Sequence, residues 1–440
     1  MENKKRKMLS KSVADGLPGD FEFNPEFARA FELMEGTSEC ILVTGKAGTG
    51  KSTLLQYFIE NTDKNIVVLA PTGVAAINVG GQTIHSFFRF PPRFVHKETI
   101  RRRRDRETIK KIDAVIIDEV SMVRADLMDG IDWALRINRE RIDIPFGGVQ
   151  MIFFGDLFQL SPVVDKEMIQ VYGQRYETPY FFSADVFRDV RVRGIELTRI
   201  YRQTDQRFVG LLNKIRNNEC DEEDFKLLNS RVARRNSSIP ENVITLTATN
   251  NLAGAINEAR LNGLPGAAAH YNASVQDEFD SSSYPTEPCL KLKPGAQIMM
   301  IRNDPEKRWV NGSIGVVRSL TNDSILVEIE GERHQISPVS WEKISYTYND
   351  LEDKIEERIL GVFTQFPLKL AWAITIHKSQ GQTFDTVFID LGYGAFAHGQ
   401  VYVALSRCTS LEGITLKRPV IYNDIVFDQR IHGFAEYLRK

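Results

Sequence analysis

The chain has 440 residues, of which 42% are hydrophobic, and it carries 56 basic and 58 acidic side chains. A chain of this length buries a large core and is expected to divide into two or more domains. The balanced charge excludes a polycation, so a nucleic acid partner would have to be held by local basic patches.

The N-terminus and the cysteines indicate where the protein works. Residues 1–20 are basic but lack the apolar core of a secretion signal, so we predict a flexible tail, with a nuclear signal or a DNA-binding arm as the alternative. The cysteines are far apart and form no C-x-x-C pair, which argues against zinc and disulfides. No apolar stretch approaches the roughly 18 residues of a membrane span. We expect a cytoplasmic protein with no membrane partner, nucleoid-associated if bacterial.

Short apolar runs alternate along the chain with amphipathic segments of helical length. Such runs predict the strands of a mostly parallel sheet with helices on both faces. We therefore predict two α/β domains, residues 21–190 and 191–440. The runs are 40–45, 65–73, 114–119 and 150–156 in the first domain, and 243–250 and 386–392 in the second.

Two segments interrupt this alternation. Residues 82–111 contain adjacent prolines and then four consecutive arginines, and we predict an insertion there in the first domain. Residues 297–365 alternate polar and apolar side chains between turn signals. That pattern predicts a small antiparallel barrel inserted into the second domain.

The motif GKAGTGKST, residues 45–53, follows a predicted strand and precedes a predicted helix. It matches the phosphate-loop pattern in the setting that the pattern requires. The glycines let backbone N–H groups turn toward a phosphate, Lys51 reaches the β and γ oxygens, and Ser52 offers a hydroxyl to Mg²⁺. The sequence thus predicts ATP and Mg²⁺ as cofactors. The predicted nucleotide contacts are Gly45, Lys46, Ala47, Gly48, Thr49, Gly50, Lys51, Ser52 and Thr53.

Polar residues follow two further strands. Asp118 and Glu119 come directly after the run 114–117, at the strand end where ligands lie in open α/β sheets. We expect Asp118 to hold the water shell of the metal ion and Glu119 to deprotonate the attacking water. Gln159, past the next strand, is a candidate sensor of the γ-phosphate, with a simple loop amide as the alternative.

Two arginines in the second domain are candidate arginine fingers. Arg202 lies in ELTRIYRQT and Arg407 in VYVALSRCTS, each after an apolar or aromatic stretch. A finger of this kind is worth about 10³ to 10⁵ in rate where one has been removed. A surface or ion-paired arginine is the alternative for each.

The segment APTGVAA begins another helix at a strand end. N–H groups at a helix start bind phosphate. Since the phosphate loop already accounts for the nucleotide, we expect Pro71, Thr72 and Gly73 to contact a nucleic acid backbone.

The segments TIHSFFRF and RRRR are further candidates for a nucleic acid surface. His85, Phe87 and Phe88 combine basic and aromatic groups, which suits stacking on unpaired bases at about 1–3 kcal/mol per base. A buried aromatic cluster is the alternative. The candidate duplex-contacting arm, for which a solvated charge run is the alternative, comprises Arg101, Arg102, Arg103 and Arg104.

Seven motifs in order resemble those of superfamily-1B helicases: GKAGTGKS, APTGVAA, IIDEVSM, GDLFQLSPV, YRQ, IHKSQGQT and VYVALSR. Residues 127–156 resemble the signature segment that separates the Pif (petite integration frequency) DNA helicases from the RecD-type helicases. The resemblance spans about residues 21–435. It implies two RecA-like P-loop domains in tandem, a wedge-like insertion at 82–111 and an SH3-like insertion at 297–365.

The resemblance also implies the activity. It implies an ATP-dependent helicase that moves 5′→3′ on single-stranded DNA in genome maintenance. The expected partners are single-stranded DNA and single-strand–duplex junctions, with G-quadruplexes and RNA–DNA hybrids as further candidates. A monomer is expected, with a dimer on DNA as the alternative.

The polar run in IHKSQGQT lies at the junction of DNA and ATP in similar helicases. By resemblance, we expect it to couple the two ligands, together with residues after the first strand of the second domain. The expected nucleotide contacts are Gln380 and Gly381, and the expected DNA contacts are Thr249, Asn250, Thr375, His377, Lys378 and Ser379.

One departure and two rival functions stay open. Many similar helicases carry an adenine-binding glutamine where this chain has Asn24, Pro25 and Glu26, so adenine selectivity is not settled by the resemblance. A RecD-type recombination motor would need a nuclease partner. An ATP-gated DNA clamp would not need Glu119 together with two arginines.

Overall fold

The structure is a computed structural model. It describes residues 24–438 except 92, 165–171, 174, 204, 235–242 and 350–353. The predicted tail, residues 1–20, lies outside these ranges. Within them, no helix combines the length and apolar character needed to cross a membrane.

The first half of the chain forms a six-stranded, wholly parallel sheet with strand order β3-β2-β4-β5-β1-β6. Its central strands are buried on both faces, which is why they are continuous apolar runs. The strands are β1 (Cys40–Gly45), β2 (Ile66–Ala70), β3 (Gln82–Thr83), β4 (Ala114–Ile117), β5 (Gln150–Phe154) and β6 (Val192–Leu197). Because β6 pairs with β1, the first sheet extends past the predicted boundary at residue 190.

Helices cover both faces of this sheet. The first begins where the Asn24 side chain accepts a hydrogen bond from the Phe27 N–H at 2.9 Å, and it buries Phe27, Ala30 and Met34 on one face. The helices are α1 (Pro25–Gly36), α2 (Lys51–Asn61), α3 (Gly73–Asn78), α4 (Ile84–Phe88), α5 (Glu107–Lys111) and α6 (Ala125–Arg139).

The second half contains a four-stranded parallel sheet and an antiparallel region. The strands are β7 (Ile244–Thr247), β8 (Ala269–Asn272), β9 (Ser274–Asp277), β10 (Cys289–Leu292), β11 (Gln297–Met300), β12 (Ile314–Leu320), β13 (Ile325–Ile329), β14 (Glu332–Ile336), β15 (Val339–Asn349), β16 (Lys354–Gln365), β17 (Leu368–Leu370), β18 (Ala373–Thr375), β19 (Val387–Asp390) and β20 (Ile414–Leu416). The helices are α7 (Gln206–Asn217), α8 (Glu222–Asn229), α9 (Asn250–Gly263), α10 (Gln400–Leu405) and α11 (Gln429–Tyr437).

The parallel sheet has the order β18-β7-β19-β20, so its loops after β7, β18 and β19 leave from one edge. Two parallel sheets covered by helices confirm the predicted α/β class. The antiparallel strands form sheets in the orders β14-β13-β12-β11-β17, β15-β16-β9 and β10-β8. This region is wider than the predicted insertion at 297–365, because it begins at β8 and ends at β17.

The hairpin of β15 and β16 packs onto the first sheet. Ile344 and Tyr346 belong to the same buried cluster as the apolar side chains of β2 and β4. The Tyr346 hydroxyl accepts a hydrogen bond from the Val68 N–H at 3.4 Å, and the Ile355 N–H donates to Asn65 Oδ1 at 3.3 Å. The second half of the chain thereby completes the core of the first.

The same packing corrects the prediction for residues 82–111. Phe87 and Phe88 are both only 5% exposed and lie in that cluster, and the Phe87 ring meets the Tyr346 ring edge-on at 6.1 Å. Neither ring has a face free for a base, so the predicted stacking role of Phe87 and Phe88 is wrong and the buried aromatic cluster is correct.

Candidate active site and nucleic-acid interface

A cavity of about 480 Å³ lies between the C-terminal edge of the first sheet and the second half of the chain. It brings together predicted residues from six separate segments, including both candidate arginine fingers. Its predicted lining residues are Ala47, Gly48, Thr49, Gly50, Lys51, Ser52, Thr53, Asp118, Glu119, Gln159, Arg202, Gly381 and Arg407. Gly155, Tyr201 and Thr383 line it as well, and sequence analysis missed them.

The phosphate loop is held tightly from both sides. Gly48 and Gly50 have φ angles of +78° and +82°, which favour glycine. A side chain on Gly48 would also lie 2.5 Å from Arg202 Cβ, and one on Gly50 would lie 2.9 Å from the Phe27 ring. The close approach of Arg202 to the phosphate loop therefore depends on Gly48, and the packing of α1 against the loop depends on Gly50.

Lys51 is turned back onto its own loop. Its Nζ donates to the carbonyl oxygens of Gly45 at 2.7 Å and Lys46 at 3.0 Å. Burial lowers the Lys51 pKa, while Asp156 and Glu119 oppose this shift. The carbonyl oxygens of Gly45 and Lys46 thus hold the Lys51 ammonium group, which a γ-phosphate would attract away from them.

Asp118 and Glu119 form a buried acidic pair. Burial, reinforced by the neighbouring Glu119 charge, raises the Asp118 pKa to about 7. Burial also raises the Glu119 pKa, against the pull of Lys51 and Arg407. Two carboxylates confined in this way favour a bound cation.

Within the described residues, no cluster of three or more His, Cys, Asp or Glu side chains could hold a metal alone. Such a sparse protein donor set suits Mg²⁺, which keeps several waters and binds substrate phosphates.

Asp156 is the centre of a buried polar network that joins the two halves. It is fully buried, and it accepts hydrogen bonds from Arg216 Nη2 at 3.1 Å and from the Tyr402 hydroxyl at 3.3 Å. Burial alone would raise the Asp156 pKa, but Arg216 and Lys51 outweigh it and hold the pKa below its ordinary value. Gln159 Nε2 also approaches Asp156, at 3.4 Å. Sequence analysis missed Arg216 and Tyr402.

The two candidate finger arginines differ in their surroundings. Arg202 Nη1 donates to the Ser406 carbonyl at 3.2 Å. Arg407 is only 2% exposed, and its Nε donates to the Val403 carbonyl at 3.0 Å and its Nη1 to the Ser379 carbonyl at 3.4 Å. Burial lowers the Arg407 pKa to about 9, with the nearby Arg202 adding to the shift. Arg407 therefore contacts the polar run of residues 375–381 directly.

A second cavity, of about 420 Å³, lies between α3 of the first half and α9, β17 and the polar run of the second. Asn250, Thr375 and Lys378, all predicted DNA contacts, line it. Gln380, predicted to face the nucleotide, lines this second cavity and not the nucleotide cavity. Gly381, the next residue, does line the nucleotide cavity.

Comparisons with known proteins assign the chain to a family. The family model described as PIF1-like helicase matches residues 26–226, and the model described as UvrD-like helicase C-terminal domain matches residues 370–411. The ATP-dependent DNA helicase Pif1 of Bdellovibrio bacteriovorus is 33% identical over 90% of this chain and 88% of its own length. The chain belongs to the PIF1-like helicase family.

Other relatives and solved structures agree. The rat ATP-dependent DNA helicase PIF1 is 34% identical over 93% of this chain, which spans 63% of the rat protein. Unliganded Pif1 from Bacteroides superposes with a TM-score of 0.87 at 38% identity, over 96% of this chain and 98% of that one. For Bacteroides Pif1 bound to single-stranded DNA the TM-score is 0.70, at 38% identity and over 95% and 97% of the chains. The predicted enzyme class, an ATP-dependent DNA helicase, is confirmed.

In this PIF1-like helicase, several predicted DNA contacts serve the fold. Ser379 is fully buried and its hydroxyl donates to the Ile376 carbonyl at 2.8 Å, so its predicted DNA contact is wrong. Thr72 and Thr249 cap α3 and α9 through their side-chain oxygens. His377 is half-buried, lines neither cavity, and has its pKa lowered by burial.

The arginine run is divided between structural and exposed positions. Arg103 Nη1 donates to the Phe87 carbonyl at 2.6 Å and its Nη2 pairs with Asp105 at 2.6 Å, while Arg102 pairs with Glu140 at 2.5 Å. Arg101 and Arg104 are exposed. Two of the four charges are thus paired with carboxylates, whereas Arg101, which donates to the Glu98 carbonyl, and Arg104 pair with no carboxylate among the described residues.

The residues that stand in place of the usual adenine-binding glutamine make hydrogen bonds within the protein. Asn24 caps α1 and its Nδ2 donates to the Tyr201 hydroxyl at 3.0 Å, and Glu26 accepts hydrogen bonds from the Thr198 N–H and hydroxyl. Tyr201 is 38% exposed at the mouth of the nucleotide cavity, beside the phosphate loop. Asn24 thus contributes to this region by positioning Tyr201.

Proposed function

We propose that this helicase moves 5′→3′ along single-stranded DNA and separates forked duplexes, in the service of genome maintenance. One observation carries the coupling between the two ligands. The polar run contributes Thr375, Lys378 and Gln380 to the second cavity and Gly381 to the nucleotide cavity, so a short 3₁₀ turn separates the two sites. A nucleotide-dependent movement of this run necessarily shifts groups in the second cavity.

ATP hydrolysis in this scheme uses the residues of the first cavity. Lys51 leaves the Gly45 and Lys46 carbonyls for the γ-phosphate, and the backbone N–H groups of residues 48–52 hold the β-phosphate. Glu119 accepts the proton of the attacking water, which its raised pKa and burial suit. Gln159 orients that water or the γ-phosphate, and Arg202 and Arg407 neutralise the charge that develops during transfer.

The acidic pair and the Ser52 hydroxyl fit a magnesium ion. Ser52 and Asp118 would hold it, with Asp118 acting through the ion's water shell. When bound, Mg²⁺ neutralises charge on the β and γ oxygens. Tyr201, at the cavity mouth, is placed to stack on the base of the nucleotide.

DNA in this scheme lies in the second cavity, across both halves. Asn250, Thr375 and Lys378 contact it from the second half, and the start of α3 at Pro71, Thr72 and Gly73 contacts it from the first. A relative, Bacteroides Pif1, has been solved bound to single-stranded DNA, and another of its structures concerns unwinding of forked duplex DNA by two coordinating helicases. These relatives support forked DNA as the substrate here.

The test is unwinding of partial duplexes that carry a single-stranded overhang on one strand only. The expected result is ATP-dependent unwinding with a 5′ overhang and none with a 3′ overhang. Unwinding that needs the 3′ overhang would contradict the polarity. DNA-stimulated ATP turnover without strand separation on either substrate would instead favour a DNA clamp.

A further inference from the structure

The second cavity contains a lysine that sequence analysis did not single out. Lys369 lies on β17, paired across the sheet with Met299 of β11, and lines the cavity together with Leu370. Its side chain is partly buried. In the described part of the chain, no hydrogen bond or ion pair reaches its Nζ. An ammonium group that is partly withdrawn from water and has no partner is costly, which points to a ligand at this position.

The other charged groups at this cavity do not neutralise Lys369. Lys378, from the polar run, repels it across the cavity, and Glu287, from the segment before β10, is the one carboxylate that attracts it. α9 contributes the neutral Asn250 and Asn257, and α3 contributes Val74, Ile77 and Asn78. The cavity is therefore lined by two cations and one carboxylate.

An uncommitted donor lies in the same place. Gln380 lines the cavity, and its buried Nε2 donates to no acceptor among the described residues. Asn257, by contrast, already exchanges two hydrogen bonds of 2.8 Å with the backbone of Ala373. Two ammonium groups and one unpartnered amide NH₂ group therefore line a space of about 420 Å³. Three donors and a positive field fit one tetrahedral oxyanion.

We propose that Lys369 and Lys378 clamp one phosphodiester of single-stranded DNA in this cavity, and that the protein takes up a proton as the strand enters. The inference rests on the proposed DNA path through the cavity and adds the residue that senses the backbone charge. The phosphodiester is a permanent anion, so it replaces the missing counter-charge of Lys369. It also favours the ammonium form, and any Lys369 that is neutral before binding becomes protonated.

The size of the proton uptake follows from the state of Lys369 without DNA. Burial, with repulsion from Lys378, lowers the Lys369 pKa to about 8. The free protein is then mostly charged at this position near pH 7 and mostly neutral near pH 9. If only the charged form binds the phosphodiester, DNA affinity falls about tenfold between these two pH values. His85 and His377 do not contribute in this window, because burial lowers the pKa of both below the ordinary histidine value.

The experiment measures binding of a fluorescent oligo-dT strand by anisotropy, without nucleotide, from pH 7 to pH 9 at constant ionic strength. The parent chain is expected to lose about tenfold in affinity over this range. Lys369→Arg keeps a permanent charge, so its affinity should stay level. Lys378→Gln removes the repelling neighbour, so the decline should begin at a higher pH. Lys291→Gln, at an exposed lysine on β10, is the matched control and should follow the parent profile.

Three outcomes would overturn the proposal. A Lys369→Arg variant that declines like the parent places the titrating group elsewhere. A level parent profile with tight DNA binding means that Lys369 does not contact the strand. An oligo-dT strand with uncharged methylphosphonate links should bind without pH dependence, and a persistent decline there would assign the effect to bases rather than phosphates. If the parent binds no oligo-dT at any pH, the proposed function fails first, and this proposal fails with it. Thermal unfolding of each variant identifies any that simply misfold.

Discussion

The hydroxyl oxygen of Tyr402, on α10 of the second half, lies 3.1 Å from the backbone nitrogen of Ala47 in the phosphate loop. The same hydroxyl donates to Asp156, at 3.3 Å, which closes a path from the phosphate loop through the second half to the end of β5. Tyr402 is buried, and burial raises its pKa, so the phenol stays protonated and can donate and accept at once.

Tyr402→Phe should therefore weaken nucleotide use without unfolding the protein. The ring still fills its site, but two hydrogen bonds are lost, and a hydrogen bond contributes about 0.5–1.5 kcal/mol net. We expect kcat/KM for ATP to fall roughly 5- to 150-fold if both hydrogen bonds contribute, measured in steady-state turnover with saturating single-stranded DNA. Tyr437→Phe, at an exposed tyrosine, is the control. An unchanged kcat/KM would mean that the bridge is incidental.

Glu119→Gln should keep Mg·ATP binding and lose turnover, because an amide cannot accept the proton of the attacking water. Binding is measured with a fluorescent ATP analogue and turnover by phosphate release. The variant also removes the negative charge that helps to raise the Asp118 pKa. Asp118 is then ionised more readily, so Mg²⁺ binding should not weaken. Turnover at half the parent rate would remove Glu119 from the role of base.

The acidic pair predicts a pH dependence for magnesium. Asp118, with its pKa raised to about 7 by burial and Glu119, must be ionised to hold the ion's water shell. Between pH 6 and pH 8 the Mg²⁺ concentration for half-maximal turnover should fall by about tenfold. The stability of the metal-free protein should depend on pH in the opposite direction. The Asp118 carboxyl ionises at a lower pH in the unfolded chain than in the folded one, so the free energy of unfolding should decrease as pH rises from about 4 to 7. Asp118→Asn should flatten both profiles.

Arg202→Ala and Arg407→Ala should each lower kcat by roughly 10³ or more, as for other finger arginines. The structure separates them by a second readout. Arg407 is buried and hydrogen-bonded to Val403 and Ser379, so its loss should also lower the unfolding temperature, whereas the loss of Arg202 should lower it less. Arg207→Ala, at an exposed arginine on α7, is the control. If only one of the two affects kcat, the other is structural.

His377→Ala should uncouple the two ligands. His377 lies between Thr375 in the second cavity and Gly381 in the nucleotide cavity and lines neither, so both ligands should still bind. What should fall is the stimulation of ATP turnover by single-stranded DNA, and with it the effect of a non-hydrolysable ATP analogue on DNA affinity, because coupling of affinities is reciprocal. His432→Ala on α11 is the control. Full stimulation at saturating DNA would make His377 a bystander.

The parts of the site that the sequence could predict are those encoded by contiguous motifs. The phosphate loop and the Asp118–Glu119 pair depend only on a strand, a turn and the residues that follow, so their positions are local consequences of the chain. Gly48 and Gly50 illustrate this, since their positive φ angles are built into the loop.

The missed residues depend on packing between distant segments. Arg216 and Lys369 lie in no motif, and Tyr402 lies in VYVALSR, where Arg407 is the residue that attracts attention. Each acquires its role from what the opposite half presents to it. The histidine and arginines near Phe87 in the sequence predict that its ring stacks on DNA bases. In the structure that ring packs against Tyr346, a residue more than two hundred positions later in the chain. No local pattern distinguishes a ring covered by such a hairpin from one left open to a base.

The hairpin that carries Tyr346 also affects how the protein is made. The ribosome finishes β6, the last strand of the first sheet, about 150 residues before it adds Ile344 and Tyr346. At typical synthesis rates this interval lasts roughly 8 to 30 seconds. Throughout it, the apolar surface around Phe87 that the hairpin later covers stays open to water on the nascent chain. That surface is where we expect chaperone contact during translation, and where a truncated chain ending after β6 would begin to aggregate.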